Sequence, residues 1–457
     1  MTTRSARPSR PSRSGWQAAV VIALVGLALT ACGNSDKSAT TANDQPTDKP
    51  ADTTQANSQE KVASSEPGVT DTEIQVSGIA SVENPLGGSY GGAFDGVEAY
   101  FKMVNEEQGG IYGRKLVLKN KHDDKFSNNK QEVAAVLSQD KPFAVLPVAT
   151  ILFTGADDLV AAKMPTFGWG VDRAWVGTPE NKKLNLFTQS GYLCFDCASP
   201  GYAATSKALD AHKIGVLAYS ADQSATCADG MQASYDKYGA SVGASIVFMD
   251  KALNYGEKNF STQVTAMKDK GVDLVLTCMD TNAVIALAQE MKSQQLDAKQ
   301  YLPNGYDQAL IDEYGDLLEG DIVRTDFVGF ESPYKPKGLE NYLKWMDATK
   351  ATKTENSVAG WLNADLFVTG LKAAGPNFTQ QKLVDSINAL TDYNADGFLH
   401  GVNWTTAHFM DDKPWLACSY TAVIEDSKLV AKYVEGDKPF VCADGTDPSD
   451  VKISNEN

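Results

Sequence analysis

Short apolar runs rich in β-formers alternate with amphipathic helical segments along most of the chain, and this alternation restricts the possible folds more than any other feature. The first series runs from a strand at 74–79 to a strand at 166–168. A second series restarts after Phe187 and continues to a strand at 322–327. Strands that alternate with helices of this length predict parallel sheets with helices on both faces. We therefore predict an α/β fold with two doubly wound parallel-sheet lobes.

The pattern changes after the second series. Three helical segments at 339–349, 359–374 and 381–389 precede hairpin-like β material at 402–434. This change predicts that the chain crosses between the lobes more than once, which makes a multi-strand hinge with a cleft beside it. Ligands of open α/β sheets bind outside the carboxyl ends of the strands, which here face that cleft. The predicted boundaries are 68–189 plus 329–391 for the N-terminal lobe, 190–328 plus 392–445 for the C-terminal lobe, and 446–457 for a tail.

The first 67 residues predict a secreted and tethered protein. Arginines precede an uncharged apolar run at 18–31, a pattern typical of a secretory signal peptide over residues 1–31. The run ends in Leu29-Thr30-Ala31-Cys32-Gly33, which resembles a bacterial lipobox and implies a lipid on Cys32. The alternative is an ordinary signal peptide with an incidental cysteine. Residues 32–67 carry too few large apolar side chains to fold and are predicted to be a disordered tether. The expected location is the outer face of the cell membrane.

Charge and cysteine content restrict the partners and the compartment. The formal net charge of the whole chain is −17, and it becomes four units more negative without the arginines of the signal segment. Such an acidic chain is not expected to bind nucleic acid. If Cys32 carries a lipid, six cysteines remain, and an even number outside the cytoplasm predicts disulfides among 15 possible pairings. These six are Cys194, Cys197, Cys227, Cys278, Cys418 and Cys442.

The positions of the cysteines favour particular pairs. Cys194 and Cys197 have the spacing of redox and zinc motifs, but neither a thioredoxin-like context nor two further zinc ligands are nearby, which favours a local disulfide. Cys227 begins a predicted helix and Cys278 ends a predicted strand, both on the cleft side of the second sheet, so we predict that they pair. Cys418 and Cys442 would then connect parts of the C-terminal β segment.

The motifs of common enzymes and metal sites are missing from the sequence. The four histidines are scattered without an H-E-x-x-H pattern, and no G-x-S-x-G nucleophile motif occurs. The glycine-rich segment 87–92 lacks the Lys-Ser/Thr pair of a phosphate-binding loop. We therefore predict no enzymatic activity, no cofactor and no metal site.

One block of residues resembles a known family. The loop 85–91 is followed by Asn105-Glu106 and by the segment 109–115, Gly-Gly-Ile-Tyr-Gly-Arg-Lys, and the next strand closes with Asp123-Asp124. This block resembles the type I periplasmic solute-binding proteins of branched-chain amino acid and amide ABC transporters. Weaker matches at 270–273, 318–320 and 360–361 follow in the same order, so that the resemblance covers residues 73–434.

The resemblance implies a two-lobed clamp that captures a small molecule and delivers it to an ABC permease. The implied ligand is an amino acid, an amide or a small organic or aromatic acid, and the default oligomeric state is a monomer. A sensor or co-receptor that binds the same ligand without transport is the alternative.

The same resemblance places ligand contacts in the loops at strand ends. Hydroxyls and backbone amides there would hold a carboxylate, and an acid such as Asp280 would hold an ammonium group. Two departures from the family weigh against an ordinary α-amino acid, namely Leu146–Thr150 in place of G-P-x-x-S and a bulky Trp169 in place of a small residue. The implied contacts are Ser89, Tyr90, Ala149, Thr150, Trp169 and Gly170 in the first lobe, Ser224, Asp280, Tyr306 and Asp307 in the second, and Trp361 in a late helix.

Overall fold

The computed structural model of the protein describes residues 61–88, 90–191, 196–408 and 416–455. The segment Asn57–Asn457 forms one compact unit. The predicted signal peptide, the lipidation site Cys32, the candidate contact Ser89 and the cysteine Cys194 lie outside the described residues. Within the described part of the chain, no helix is both long and apolar enough to span a membrane.

The first sheet is built from the first series of strands. All five strands are parallel, in the order β2-β1-β3-β4-β5. β3 is buried at every residue because helices cover both faces of the sheet, which explains its continuous apolar sequence. The elements are β1 (Glu73–Ala80), α1 (Gly92–Glu107), β2 (Lys115–Asp123), α2 (Asn129–Ala135), β3 (Ala144–Ala149), α3 (Ala156–Ala161), β4 (Thr166–Gly168) and β5 (Leu186–Thr188).

The second sheet contains the second series. Its parallel part has the order β10-β9-β8-β6-β7. Two parallel sheets with connecting helices confirm the predicted α/β fold. The elements are α4 (Pro200–Leu209), β6 (Lys213–Tyr219), α5 (Asp222–Tyr238), β7 (Ser245–Leu253), α6 (Ser261–Lys270), β8 (Leu274–Cys278), α7 (Thr281–Gln294), β9 (Lys299–Tyr301), α8 (Gln308–Tyr314) and β10 (Ile322–Thr325).

After β10 the chain returns to the first lobe as α9 (Lys337–Thr349), α10 (Glu355–Ala374) and α11 (Gln380–Ile387). α10 packs closely along α1 because each helix presents a glycine to the backbone of the other. A Cβ atom at Gly96 would lie 1.9 Å from the carbonyl oxygen of Ser357, and one at Gly360 would lie 1.9 Å from that of Ala93. This close approach places the N-terminus of α10 beside the start of α1.

The last strands extend the second sheet with antiparallel pairs. β11 (Leu416–Glu425) pairs with β10, with β12 (Lys428–Lys432) and with β13 (Val441–Asp444), and β13 pairs with β14 (Lys452–Asn455). The predicted hairpin is therefore present. The segment 446–457, predicted as a tail, instead supplies a strand, and Val451 is buried against Tyr238 and Ala443.

One predicted lobe boundary is corrected by the packing. Residues 392–408 are predicted to belong to the C-terminal lobe, but Tyr393 and Trp404 pack on the first lobe, whereas His400 contacts Cys418 and Phe440 of the second. The Trp404 ring contacts the Phe187 ring of β5 at 5.2 Å, and the Tyr393 hydroxyl donates a hydrogen bond of 2.7 Å to Asp365 of α10. Among the described residues, the chain rejoins the second sheet as a strand at β11. The β pattern predicted from residue 402 onward begins as a strand only at Leu416 in the described part of the chain, so the pattern assigned 402–408 to the wrong lobe.

The hinge and the disulfides connect these parts. In the hinge, the side chains of Gln189 and Ser190 hydrogen bond to the carboxylate of Asp326, and this joins two of the chain crossings. Both predicted disulfides of the second lobe are present, Cys227–Cys278 and Cys418–Cys442. The second one links directly opposed residues of β11 and β13. The Cys194–Cys197 pair stays a prediction, because Cys194 is not described.

Candidate functional site: the cleft between the lobes

A cavity of about 340 Å³ lies between the two lobes. Its walls come from the loop before α1, from the loop after β9, from α8 and from the first turns of α7 and α10, as expected for a ligand site of this fold class. We call it the cleft cavity. The first lobe contributes Gly88, Tyr90, Thr354, Glu355 and Asn356, and the second contributes Thr281, Asn282, Asn304, Tyr306, Asp307, Ala309, Leu310, Glu313 and Tyr314.

Tyr90 forms the first-lobe wall just before α1. Its side chain is buried and its ring lies 6.0 Å from that of Trp169, so these two predicted contacts are brought together. Burial raises the pKa of the Tyr90 hydroxyl above its ordinary value, and the carboxylates of Asp280 and Glu355 raise that pKa further. Tyr90 therefore stays protonated and can donate a hydrogen bond into an acidic environment.

Glu355 is a cavity residue that the sequence analysis missed. It is the first residue of α10, whose N-terminus is fixed by a capping box between Thr354 and Ser357. Burial raises the pKa of Glu355 to about 8, and the nearby carboxylate of Asp326 contributes. The Glu355 backbone N–H donates to the carbonyl of Tyr306 across the lobes at 3.3 Å. The sequence Thr-Glu-Asn-Ser at 354–357 is the one local pattern that could have drawn attention to Glu355. That pattern predicts a helix cap and gives no indication of ligand binding.

Tyr306 connects the cavity to the hinge. Its hydroxyl donates to a carboxylate oxygen of Glu331 at 2.5 Å and accepts a hydrogen bond from the Phe330 backbone N–H. The other oxygen of Glu331 accepts a hydrogen bond of 2.8 Å from Tyr420. The predicted contact Tyr306 thus lines the cavity, but its hydroxyl is used by the hinge. Its neighbour Asp307 also lines the cavity and caps α8 through the Ala309 N–H at 2.9 Å.

Two predicted second-lobe contacts lie behind the cavity wall. Asp280 caps α7 by accepting from the Ala283 N–H at 3.2 Å, and it also accepts a hydrogen bond from the Tyr219 hydroxyl. The Ser224 hydroxyl donates to the Cys278 carbonyl at 2.5 Å and accepts from the Tyr219 N–H at 2.8 Å. Both side chains therefore support the wall from within, and their contact with a ligand stays a prediction. The adjacent Thr281 and Asn282 reach the cavity instead.

The remaining first-lobe candidates do not line the cleft cavity. Ala149 and Thr150 are buried at the end of β3, and the Thr150 hydroxyl has no hydrogen-bond partner among the described residues. Gly170 lies against Thr188, because a Cβ atom at Gly170 would fall 2.8 Å from the Thr188 methyl group. These positions also stay predictions as ligand contacts.

Trp361 is a core residue, contrary to the suggestion that it faces the cleft. Its ring makes edge-to-face contacts with Tyr100 at 4.9 Å and with Tyr342 at 5.5 Å. It borders a separate pocket beside Asp365. The reason is helix geometry, because only the first turn of α10 reaches the cleft, and Trp361 lies almost two turns further along.

The lobes touch each other at several points around the cavity. The Gln223 side chain donates to the Val171 carbonyl, and the Phe126 and Tyr255 rings lie 5.8 Å apart. A Cβ atom at Gly87 would lie 2.9 Å from the Asn282 side chain, so the Asn282 amide would have to move to admit a larger residue. Gly87 also has a φ of 81°, which favours glycine independently of the contact.

The charges of the lining have one sign. Asp307, Glu313 and Glu355 line the cleft cavity, whereas no lysine or arginine does so within the described ranges. Carboxylates and hydroxyls in a partly enclosed site match a ligand that carries an ammonium group and further hydrogen-bond donors. A ligand whose only polar group is a carboxylate would be repelled by the same walls.

One other cluster has the residue types of a metal site. His400, Cys418 and Cys442 place their ligand atoms within 4.8 Å of one another. The two sulfur atoms are joined as a disulfide, and therefore neither is a thiolate that could bind a metal ion. This cluster does not compete with the cleft as a functional site.

Residues 73–427 match the sequence profile of a family described as periplasmic binding proteins. Comparison with curated proteins finds no significant match. Among solved structures, a solute-binding protein of an ABC transporter from R. palustris, in complex with benzoate, shares 14% identity over 79% of this chain and 95% of that chain, with a TM-score of 0.61.

Two further solved structures have a similar relation to this chain. A branched-chain amino acid transporter substrate-binding protein from Streptococcus pneumoniae, in complex with isoleucine, shares 14% identity over 79% of this chain and 98% of that chain, with a TM-score of 0.63. A fatty acid ABC transporter substrate-binding protein from Thermomonospora curvata shares 18% identity over 83% and 95%, with a TM-score of 0.63. At these identities the similarity establishes a common fold.

Proposed function

Because the chain belongs to the periplasmic binding proteins, we propose that it captures a small solute in the cleft cavity and delivers it to an ABC permease. Its fold is that of the type I members of this family, as the sequence resemblance implied. Proteins of this family bind solutes and are not enzymes, which agrees with the predicted lack of enzymatic activity.

The proposed ligand is an amino acid or amide that carries a cationic amine. The observation that supports this choice is the lining of the cleft cavity, which presents Asp307, Glu313 and Glu355 without a lysine or arginine among the described residues. A half-buried carboxylate such as Glu355 is stabilised in its ionised form by an ammonium group within hydrogen-bond distance. Solved relatives bind isoleucine, valine or benzoate, and the acidic cleft favours the amine-bearing class for this protein.

The proposed cellular setting follows from the N-terminal sequence. Export through the signal peptide and a lipid on Cys32 would hold a monomeric binding protein at the outer face of the cell membrane, close to its permease. The low-complexity stretch before residue 61 would serve as the tether. The predicted tether boundary at 67 is too late, because the Val62 carbonyl and the Glu66 carboxylate accept hydrogen bonds from Arg114 and Gln380. Replacement of Cys32 by serine is expected to move the protein from the membrane fraction to the soluble fraction, while the same replacement at Cys227 is expected to leave it membrane-bound.

A thermal-shift screen of residues 57–457 tests the ligand class. The panel contains amino acids, amides, ureas, and aromatic and short aliphatic acids at matched concentrations. A ligand at 100 times its Kd stabilises the folded state by about 2.7 kcal/mol. Amine-bearing compounds are expected to raise the melting temperature, and Glu355→Gln, which should weaken binding roughly thirtyfold, should reduce the stabilisation to about 0.9 kcal/mol. Stabilisation by acids alone, unaffected by Glu355→Gln, would reject the proposed ligand class.

A further inference from the structure

We propose that the second lobe carries a second small-molecule site, a pocket under α4 that binds a monocarboxylate with an apolar body through Arg324. The pocket has a volume of about 250 Å³ and lies between α4 and one face of the extended second sheet. We call it the Arg324 pocket. It shares no lining residue with the cleft cavity.

The walls of the pocket are apolar because of the strand register. Side chains alternate between the two faces of a strand, so Ala417, Ser419, Thr421 and Val423 of β11 point to the same side. Ile322 precedes Arg324 by two residues on β10 and therefore lies on that side too. The small and branched residues leave a concave apolar surface around the half-buried guanidinium group of Arg324, and the exposed Lys207 of α4 adds a second positive charge to the lining.

Arg324 is half-buried and is bonded only to neutral acceptors. Its Nε and Nη2 atoms donate to the Ser419 hydroxyl at 2.8 and 2.5 Å, and Nη1 donates to the Gly201 carbonyl at 3.1 Å and to Thr205 Oγ1 at 2.9 Å. No carboxylate of the described residues forms an ion pair with it. A partly desolvated charge without a counter-charge is costly, and a bound anion would offset that cost.

Two hydrogen-bond donors remain for such an anion. A guanidinium group has five N–H donors, and the four bonds above leave one Nη2 N–H without an acceptor. The Ser419 hydroxyl accepts from Arg324 but donates to no acceptor within the described ranges, and its side chain lines the same pocket. One N–H and one O–H on adjacent strands suit the two oxygens of a carboxylate.

The mouth of the pocket also fits a ligand that is apolar at one end. Tyr433 and Ile453 lie at the lining, and they are among the few large apolar side chains that are exposed, at 45% and 36%. The backbone of Tyr433 has a φ of 61°, which is unusual for an aromatic residue. Its hydroxyl donates to the Ala208 carbonyl of α4 at 3.3 Å, so the ring is held at the edge of the pocket.

Calorimetric titration of residues 57–457 with octanoate tests the proposal. Octanoate is expected to bind, and neutral octanamide is expected to bind about tenfold more weakly or worse, because it lacks the charge that Arg324 would pair with. A parallel titration with benzoate shows whether the pocket accepts a ring as well as a chain. If neither acid binds, or if octanamide binds as well as octanoate, the proposal is wrong.

Three variants locate the binding. Arg324→Gln should weaken octanoate binding about tenfold or more, but it also removes bonds to α4. Ala208→Phe removes no hydrogen bond of Arg324, and it should fill the pocket from an exposed helix position and abolish binding. Ala240→Phe, at an exposed site outside the pocket, is the matched control and should bind normally. Octanoate binding that survives Ala208→Phe, or that is lost in Glu355→Gln, would place the acid elsewhere and overturn the assignment.

Discussion

The cleft cavity and the Arg324 pocket have opposite charges and different origins. The cleft is lined by three acids, Asp307 before α8, Glu313 near the end of α8 and Glu355 at the start of α10. It lies at the strand ends of both lobes, where parallel sheets normally bind ligands. The Arg324 pocket lies on one lobe and depends on antiparallel strands added to the edge of a parallel sheet. The position of the cleft cavity therefore follows from the common fold, whereas the Arg324 pocket is created by the antiparallel extension of the second lobe. If this is correct, each site can be damaged without the other.

Removal of either disulfide should cause the largest loss of stability, and the two disulfides lie beside different sites. Cys227–Cys278 encloses 51 residues next to the cleft wall, and Cys418–Cys442 encloses 24 residues beside Ser419. Loop entropy predicts losses of about 4 and about 3.5 kcal/mol in the free energy of unfolding when each pair is replaced by alanine. Denaturant titration measures both losses. The first variant should weaken amine binding only and the second octanoate binding only. If both variants weakened the binding of both ligands equally, the cleft cavity and the Arg324 pocket would not be independent sites.

Separation of α1 from α10 should damage the cleft alone. Gly96→Ala would place a Cβ atom 1.9 Å from the Ser357 carbonyl, so the helices must move apart and carry Glu355 away from Tyr90. We expect a loss of about 2 kcal/mol in the free energy of unfolding and weaker amine binding. The matched control is Gly92→Ala in the same helix, where the nearest atom would be Thr354 Oγ1 at 3.6 Å. Similar stability of the two variants would argue against this close helix contact.

Removal of one carboxylate tests the charge of the cleft. Glu355→Gln keeps the shape of the side chain but leaves the ligand ammonium without its partner, and we expect a loss of about 2 kcal/mol in binding, or roughly thirtyfold in Kd. Glu313→Gln is the control, because Glu313 lines the same cavity but is exposed and should contribute about 0.5 kcal/mol or less. Calorimetry compares the two variants. A larger loss of binding in Glu313→Gln would show that the ligand ammonium group pairs with Glu313 and not with Glu355.

The pH dependence gives the smallest effect and follows from the same residue. The pKa of Glu355 is raised to about 8 by burial, so the carboxyl group must lose its proton before it pairs with an ammonium ion. Affinity for an amine ligand should therefore fall about tenfold from pH 9 to pH 7, and binding at pH 7 should release a proton. Titration in buffers of different ionisation enthalpy measures that proton. Glu355→Gln should remove it, and an unchanged proton release would assign it to another group.

The raised pKa of Glu355 also makes the free energy of unfolding of the ligand-free protein depend on pH. The folded pKa of Glu355 lies above that of an exposed glutamate, so the group stabilises the folded state below its ordinary pKa. That contribution is lost as the pH rises through about 8. Unfolding curves of the wild type and of Glu355→Gln between pH 5 and pH 9 measure this contribution of Glu355. The wild type should lose stability relative to the variant as the pH rises.

The parallel parts of the fold were predictable because their sequence patterns are strong. β3 is fully buried and reads as an apolar run, and α1 shows apolar residues at helical spacing with glycines after its end. The pairing of Cys227 with Cys278 followed from their places at a helix start and a strand end. β13 and β14 are only four residues long each, and such short strands carry too little periodicity to be recognised.

The candidate site was predicted at the level of loops and less well at the level of side chains. Tyr90, Tyr306 and Asp307 line the cavity, as their positions after strands led us to expect, and their contact with a ligand stays a prediction. Asp280 and Ser224 come from the correct loops, but their polar atoms are used to cap a helix and to bond the backbone. Glu355 was missed because it comes from a helix that returns late in the chain, and no local pattern reveals which strand ends such a helix will face.

The most direct test of the account is a crystal structure of residues 57–457 with the strongest amine-bearing ligand from the thermal-shift screen. We predict that the ligand occupies the cleft cavity, with its ammonium group within about 3 Å of the Glu355 carboxylate and further contacts to Tyr90 and Asn282. A ligand bound outside the cleft cavity, or one whose ammonium group contacts none of Glu355, Asp307 and Glu313, would contradict the account.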